Sequence, residues 1–163
     1  MYRASSLAND EDRALLLAHP ELLDFGAEPV LEGRVTVAVA TGSWGEIGGA
    51  SVAGSECVAG SDRAAGGAVV GFGSWSAVGP MLELEDLFVM PAWMHRGVGR
   101  QLVEALVTTA GQLGMRGIEV TGHVAAEKFY TAMGFELIGT VAVQFGTAPA
   151  CAATCPRCDP PVL

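Results

Sequence analysis

The sequence predicts an α/β protein, because short β-branched runs alternate with helical apolar periodicities and because glycine or proline separates most of them. At 163 residues the chain is long enough to form one domain around a single core. The predicted order is two short helices, then antiparallel strands, and then strand, helix, strand, helix and strand. We therefore expect a single domain over residues 1–148.

The first part of the chain carries short elements. Residues 10–25 place acidic side chains ahead of an apolar cluster that Pro20 interrupts, which predicts two short helices. Residues 34–40, RVTVAVA, are β-branched and predict a strand. Residues 41–67 are rich in Gly, Ser and Ala and have little to bury, so we interpret them as a long loop or insertion.

Two longer strands and a helix follow. Residues 68–76 and 81–90 predict strands that pair antiparallel across the turn at Gly79 and Pro80. The helix then begins near Gly99, and its apolar residues recur at steps of three and four, which is typical of one buried face. That face comprises Leu102, Leu106, Ala110 and Leu113, with Gly114 as the C-cap.

The last predicted elements are a strand over residues 117–121, a helix over residues 124–133 and a strand over residues 135–145. Beyond them the sequence is rich in Pro and small residues and poor in strand formers. We interpret residues 149–163 as a flexible tail. Its Cys151, Cys155 and Cys158 imply no disulfide framework, and a zinc site would need a fourth ligand, so we expect no metal.

Charge and hydropathy limit the classes of partner. The formal net charge of -9 argues against nucleic acid and anionic membranes as partners. The N-terminus resembles no targeting signal, and no apolar run approaches the roughly 18 residues of a membrane helix. We expect a cytoplasmic protein.

The segment MHRGVGRQL, residues 94–102, predicts an anion site. Two glycines remove side chains where the chain enters a helix, and two arginines supply positive charge in an otherwise acidic protein. The unpaired N–H groups of the first helical turn meet at this point. A glycine-rich turn with an exposed arginine is the alternative interpretation of the nine residues alone.

Residues 81–140 resemble the acetyl-CoA-binding core of the GNAT acetyltransferase superfamily. The resemblance is carried by LEDLFVMPAWMHRGVGRQLVEAL and by GHVAAEKFYTAMGFELIG. It implies a mixed β-sheet flanked by helices and splayed between its fourth and fifth strands, here residues 81–90 and 117–121, with the pantetheine of acetyl-CoA in the gap. The implied acceptor is a primary amine of a small molecule or peptide, and a homodimer is compatible with this family.

The resemblance also implies the cofactor-binding residues. The family's Gln/Arg-x-x-Gly-x-Gly/Ala motif falls on residues 94–99, and the strand edge at residues 87–89 pairs with pantetheine. Because Met94 stands where the family has Gln or Arg, we expect backbone amides to bind the pyrophosphate and Arg96 or Arg100 to supply the charge. The predicted cofactor-binding residues are Leu87, Phe88, Val89, Met94, His95, Arg96, Gly97, Val98, Gly99, Arg100, His123 and Ala126.

The family's second motif, Asn-x-x-Ala-x-x-x-Tyr-x-x-x-Gly-Phe, assigns Tyr130 as the general acid for the leaving thiolate. His123 stands where Asn is usual, and an ordinary core tyrosine is the alternative interpretation of Tyr130. Among the strand carboxylates Glu83, Glu85 and Asp86, Glu83 matches the base position of the histone-acetylating branch. A solvated carboxylate, with water as the proton acceptor, is equally compatible.

The resemblance therefore predicts an acetyl-CoA-dependent N-acetyltransferase that acts by direct attack of the amine. A catalytically weak or silent acyl-CoA sensor is the alternative, because Met94 and His123 depart from the motifs. A metal or thiol-redox protein built on the cysteines is a more distant alternative.

Overall fold

A computed structural model of the chain describes residues 13–14, 17–20, 25–40, 50–53, 63–64, 67–143 and 146–154. The strands are β1 (Val35–Ala40), β2 (Ala50–Ala53), β3 (Arg63–Ala64), β4 (Gly67–Val78), β5 (Met81–Val89), β6 (Gly117–Thr121), β7 (Glu136–Val143) and β8 (Gly146–Thr154). The helices whose bounds the structure describes are α1 (Glu28–Leu31), α2 (Val98–Gln112) and α3 (Glu127–Ala132), with 3₁₀ turns at Pro91–Trp93 and Val124–Ala126.

The chain divides into two compact units. The first comprises Met1–Ser74 and Asp86–Ala105, and the second comprises Trp75–Glu85 and Leu106–Leu163. Strands β4 and β5 and helix α2 each contribute residues to both units, so the division runs through elements rather than between them. The single domain over residues 1–148 stays a prediction.

In the first unit, β1 lies between β2 and β4 and pairs antiparallel with both, while β5 is the next hydrogen-bonded neighbour of β4. The core beneath these strands contains Ala38, Val70, Val98 and Leu102, with Leu87 and Val89 of β5 packed against it. A methyl group at Gly71 would lie 3.1 Å from Val98 and 3.2 Å from Leu102. Glycine at this position therefore lets the start of α2 pack directly on β4.

In the second unit, residues 81–84 of β5 pair in parallel with β6. Strand β8 pairs antiparallel with β6 and with β7, which ends the strand order β5-β6-β8-β7. The sheet is therefore mixed, and the predicted α/β class with a mixed sheet flanked by helices is confirmed. The β5–β6 register covers only the first four residues of β5, at the place where the resemblance predicts a splay.

The predicted loop and the predicted tail both contain strands that the sequence prediction lacks. Residues 50–53 and 63–64, predicted as loop, lie in β2 and β3, because β1 and β4 offer edges with which their backbones can pair. Residues 149–154, predicted as flexible tail, lie in β8, so that prediction is wrong for this part of the tail. The remainder, residues 155–163, lies outside the described residues.

Helix α2 agrees more closely with the sequence prediction. Helix α2 buries Val98, Leu102, Val103, Leu106 and Ala110, which form one helical face. Gly114 takes the predicted left-handed conformation, with φ of +70°, after the helix ends. Leu113 is the exception, since it follows the last helical residue and is 50% exposed. No helix among the described residues is long and apolar enough to cross a membrane.

Candidate active site

The chain leaves β5 through a compact turn. Pro91 begins a 3₁₀ turn in which the N–H groups of Trp93 and Met94 donate to the carbonyl oxygens of Met90 and Pro91, at 2.7 and 3.2 Å. His95 and Gly97 then take left-handed conformations, with φ of 59° and 83°. The sign of φ therefore alternates along residues 95–97. Backbone of this kind turns neighbouring N–H groups toward one side and forms a concavity that suits anions. We call residues 94–100 the anion turn.

Helix α2 begins directly from the anion turn. The N–H of Gln101 donates to the carbonyl oxygen of Gly97 at 3.0 Å and closes the first helical turn. The N–H groups of residues 98–100 precede this bond and therefore have no acceptor in the helical ladder. A methyl group at Gly97 would meet nothing within 4 Å, so the backbone here is open to an approaching ligand. Glycine is required by φ rather than by crowding.

Positive charge lies at the same turn. The guanidinium carbon of Arg96 is 5.4 Å from the centroid of the Trp93 ring, within the range of a cation–π interaction. Arg100, in the first turn of the helix, is exposed. The exposed side chain of Met94 adds no polar group, so the polar groups that the turn offers to an anion are its backbone amides, His95 and the arginines.

Residues 86–89 of β5 present alternate side chains to two sides of the strand. Leu87 and Val89 pack against the α2 core, whereas Phe88 stacks on Phe72 of β4, with ring centroids 5.5 Å apart. Asp86 lies on the Phe88 side, where its Oδ2 accepts a 2.6 Å hydrogen bond from the fully buried hydroxyl of Ser74. Asp86 is one of the three strand carboxylates considered for the base, and its partner Ser74 was not predicted from the sequence.

Glu83, the predicted base, lies in the second unit on β5. Its side chain is half-buried, and its neighbour in the parallel register is Glu119 of β6. Residues directly opposite in neighbouring strands project from the same face of the sheet, so two carboxylates lie side by side there. Glu85 is exposed on the same strand.

His123 precedes the 3₁₀ turn Val124–Ala126 as its N-cap. Its Nδ1 accepts a hydrogen bond of 3.1 Å from the N–H of Ala125. Asparagine is among the best N-cap residues, so the imidazole performs locally what the family's Asn side chain can do at this position. This capping role was not found from the sequence, although a polar residue directly before a short helix is its signal. Ala126 is half-buried at the end of the same turn.

Tyr130 of α3 is 6% exposed. Its ring packs edge-to-face against Phe129 and Phe135, with centroids 5.2 and 5.5 Å away. A methyl group at Gly122 would lie 3.1 Å from its Cε2 atom. We call Gly122, Phe129, Tyr130, Phe135 and Cys151 the tyrosine socket.

Electrostatics connect Tyr130 with Cys151. Burial raises the pKa of Tyr130 to about 12, and the nearby Cys151 thiol acts in the same direction. Burial also raises the pKa of the Cys151 thiol, with a smaller contribution from Glu127. The phenol is therefore fully protonated at neutral pH. Cys151 is a buried residue of β8 opposite Val120, rather than part of a tail.

Comparison with known proteins gives the family. A model of the acetyltransferase (GNAT) domain matches residues 53–137, more than half of the chain. The chain belongs to the GNAT acetyltransferase family. A comparison with curated protein sequences found no match.

Solved structures of GNAT acetyltransferases have a similar fold. A nourseothricin acetyltransferase is 21% identical, with a TM-score of 0.51 over 76% of this chain and 89% of that protein. A provisionally assigned streptothricin acetyltransferase from Bacillus anthracis str. Ames, solved with acetyl coenzyme A, is 24% identical, with a TM-score of 0.50 over 53% and 56%. A provisionally assigned N-acetyltransferase from Lactobacillus plantarum is 19% identical, with a TM-score of 0.50 over 53% and 61%. This GNAT chain therefore spans about three fifths of the last two proteins.

GNAT acetyltransferases use acetyl-CoA, and the anion turn of this GNAT chain fits the charged part of that molecule. The first-turn N–H groups, the open backbone at Gly97 and two arginines suit a pyrophosphate. No group of three or more potential metal-ligating side chains is found within the described ranges. The individual site residues stay predictions, and they divide between the units: residues 86–100 lie in the first, and Glu83, His123, Ala126 and Tyr130 lie in the second.

Proposed function

We propose that this GNAT protein is an N-acetyltransferase that moves an acetyl group from acetyl-CoA to a primary amine. The observation that carries the proposal is the anion turn, where left-handed His95 and Gly97 lead directly into the first turn of α2, whose N–H groups have no acceptor in the helical ladder. Each charge-assisted hydrogen bond to a pyrophosphate there is worth roughly 1.5–3 kcal/mol. The helix dipole adds about 0.3–1 kcal/mol.

Acetyl-CoA supplies an activated acetyl thioester to this reaction. In the proposed reaction the neutral amine attacks directly, an N–C bond forms, the C–S bond breaks, and one proton of the amine ends on the sulfur. No covalent bond to the protein is needed. The residues of the chain therefore have three tasks: they hold the pyrophosphate, accept a proton from the nitrogen and provide a proton to the sulfur.

We assign Tyr130 as the donor of the proton that the leaving sulfur receives, because of its position in the family's second motif. Its raised pKa supports a donor that is always protonated in the ground state. Full transfer from a phenol of pKa about 12 to a thiolate of pKa about 8.5 is uphill by roughly 5 kcal/mol. The phenol therefore donates a hydrogen bond while negative charge develops on the sulfur, and a proton that it transfers is restored from the amine proton that Glu83 or water has accepted.

We assign the proton of the amine to Glu83, directly or through water. Its half-buried carboxylate on β5 supports this assignment. Residues 87–89 of the same strand are the proposed edge for pantetheine, and His123 and Ala126 are proposed to lie near the cofactor.

The test is release of free thiol from acetyl-CoA with a panel of amines: polyamines, aminoglycosides, amino acids, short peptides with free N-termini, and streptothricin-type compounds, which the similar solved structures suggest. We expect at least one amine to give catalytic thiol release with an equal amount of acetylated product. Heat stabilisation by acetyl-CoA without thiol release from any amine would instead support the acyl-CoA sensor.

The anion turn is tested with Gly99→Glu, which places a carboxylate at the start of α2. Acetyl-CoA at 100 times its Kd should stabilise the wild-type protein by roughly 2.7 kcal/mol, and Gly99→Glu should remove this stabilisation. Gly26→Glu is the matched control, because it adds the same charge where a side chain meets nothing within 4 Å. Equal stabilisation of both variants would exclude the anion turn as the binding site.

A further inference from the structure

Gly122 connects β6 to the segment that carries the second motif, and its backbone does not need to be glycine. Its φ lies outside the left-handed region, unlike those of Gly97 and Gly134. A φ of this kind does not by itself require glycine. The reason for glycine must therefore be sought in the space around its Cα atom.

That space is occupied by Tyr130. A methyl group at Gly122 would lie 3.1 Å from Cε2 and 3.7 Å from Cδ2 of the phenol ring, whereas its next neighbour, Val120, would be 3.9 Å away. Carbon atoms in favourable contact are about 3.5–4.0 Å apart. The absence of a side chain at Gly122 thus lets the ring lie against the backbone of the chain.

Neither Gly122 nor Tyr130 can move away from this contact easily. The N–H of Gly122 donates to the carbonyl oxygen of Pro149 at 3.1 Å, which ties Gly122 to β8. The carbonyl oxygen of Tyr130 accepts from the N–H groups of Met133 and Phe135, each at 3.0 Å, and two aromatic rings pack on its side chain. A methyl group must therefore displace the ring itself, and Cε2 is bonded to the carbon that carries the hydroxyl.

We propose that Gly122 is a positioning residue for Tyr130, and that its missing side chain sets where the phenol oxygen lies. The inference rests on the proposed function, in which that oxygen donates to the leaving sulfur. A displacement of a few tenths of an ångström should then lower turnover by roughly tenfold, since misplacement by about 1 Å can cost about 10²-fold. Binding of acetyl-CoA through the anion turn should not change.

The experiment compares Gly122→Ala with Gly26→Ala, whose added methyl group meets nothing within 4 Å. We measure kcat and the KM for acetyl-CoA for both variants, alone and combined with Tyr130→Phe. We expect Gly122→Ala to lower kcat roughly tenfold with KM unchanged, and to have no further effect once Tyr130 is Phe. Gly26→Ala should match the wild type.

A second measurement locates the ring without using activity. The chain contains only Tyr2 and Tyr130, so in Tyr2→Phe protein with isotope-labelled tyrosine the remaining ring signals belong to Tyr130. Gly122→Ala should shift these NMR signals, and Gly26→Ala should leave them in place. Unshifted signals would overturn the inference even if no amine substrate were known.

The outcomes separate the inference from the proposed function. A tenfold loss that persists in Tyr130→Phe protein would overturn the role of Gly122 while leaving the acetyltransferase assignment intact. Wild-type turnover in Tyr130→Phe would overturn the acid role of Tyr130 and the catalytic consequence of Gly122 together. A wild-type protein that releases no thiol with any amine would overturn the proposed function, and the ring signals would still decide whether Gly122 positions Tyr130.

Discussion

The anion turn and the tyrosine socket use glycine in opposite ways. In the anion turn, Gly97 has open space around it and a φ that other residues rarely adopt. In the socket, Gly122 has an ordinary φ and no space. The first site is built from exposed backbone, and the second from buried side chains. The anion turn therefore depends on local backbone conformation, whereas the tyrosine socket depends on every side chain that packs in it.

The largest effect is expected from Tyr130→Phe, which removes the hydroxyl and keeps the ring. Turnover should fall by roughly 10²–10⁴-fold, the span for loss of a general acid, while the KM for acetyl-CoA and the melting temperature should change little. Steady-state kinetics and thermal melts measure this. Loss of acetyl-CoA binding in this variant would show that Tyr130 holds the ligand and would weaken the contrast between the two sites.

The socket also predicts a loss of stability in alkali. In the unfolded chain the phenol of Tyr130 ionises near the ordinary tyrosine pKa of 10.0, whereas in the folded protein it stays protonated until about pH 12. Because the folded pKa is raised, the stabilising contribution is present below pH 10 and is lost as the pH rises toward 12. A shift of this size corresponds to roughly 2–3 kcal/mol.

Urea unfolding at a series of pH values up to 12 tests this linkage. The free energy of unfolding should decline less between pH 10 and pH 12 in Tyr130→Phe than in the wild type. Tyr2→Phe is the control for loss of the other phenol. Parallel curves for all three proteins would show that burial does not perturb the Tyr130 phenol.

A smaller effect is expected from Gly97→Ala, measured without ligand. The methyl group has room but must adopt a left-handed conformation, which costs about 1–2 kcal/mol. Gly97→Asn should cost less, because Asn visits this conformation more readily. Chemical denaturation measures both variants. Equal losses of stability in the Ala and Asn variants would mean that crowding, and not φ, requires glycine at position 97. Gly97 and Gly122 would then be glycine for the same reason.

The smallest effect is expected from Glu83→Gln. Turnover with a reactive amine should fall a few-fold and chiefly at low pH, well under the roughly 10²-fold of a dedicated general base, because water can also accept the proton. Glu119→Gln, the neighbour of Glu83 in the β5–β6 register, is the matched control for loss of one charge. Identical pH profiles for the two variants would place the proton relay elsewhere.

The sequence predicted the elements whose signals are local. The period of apolar residues in α2, the φ of Gly114 and the turn at Gly79 and Pro80 each depend on a few neighbouring residues. The conformation of the anion turn is local in the same sense, since its glycines and arginines fall within residues 96–100, while its binding of an anion stays a prediction. The motif register placed Tyr130 on a helix in the same way, and the structure shows that helix as α3.

Tertiary structure alone decided the rest. Strands β2 and β3 and the β8 strand of the supposed tail have weak propensity, and they form because neighbouring strands offer edges for their backbones. The hydrogen bond from Ser74 to Asp86 joins residues twelve positions apart, and Cys151 comes near Tyr130 only through the pairing of β8 with β6. Glycine at position 122 has no local reason at all. Its reason is the Tyr130 ring, and contacts between residues distant in sequence exist only once the chain has folded.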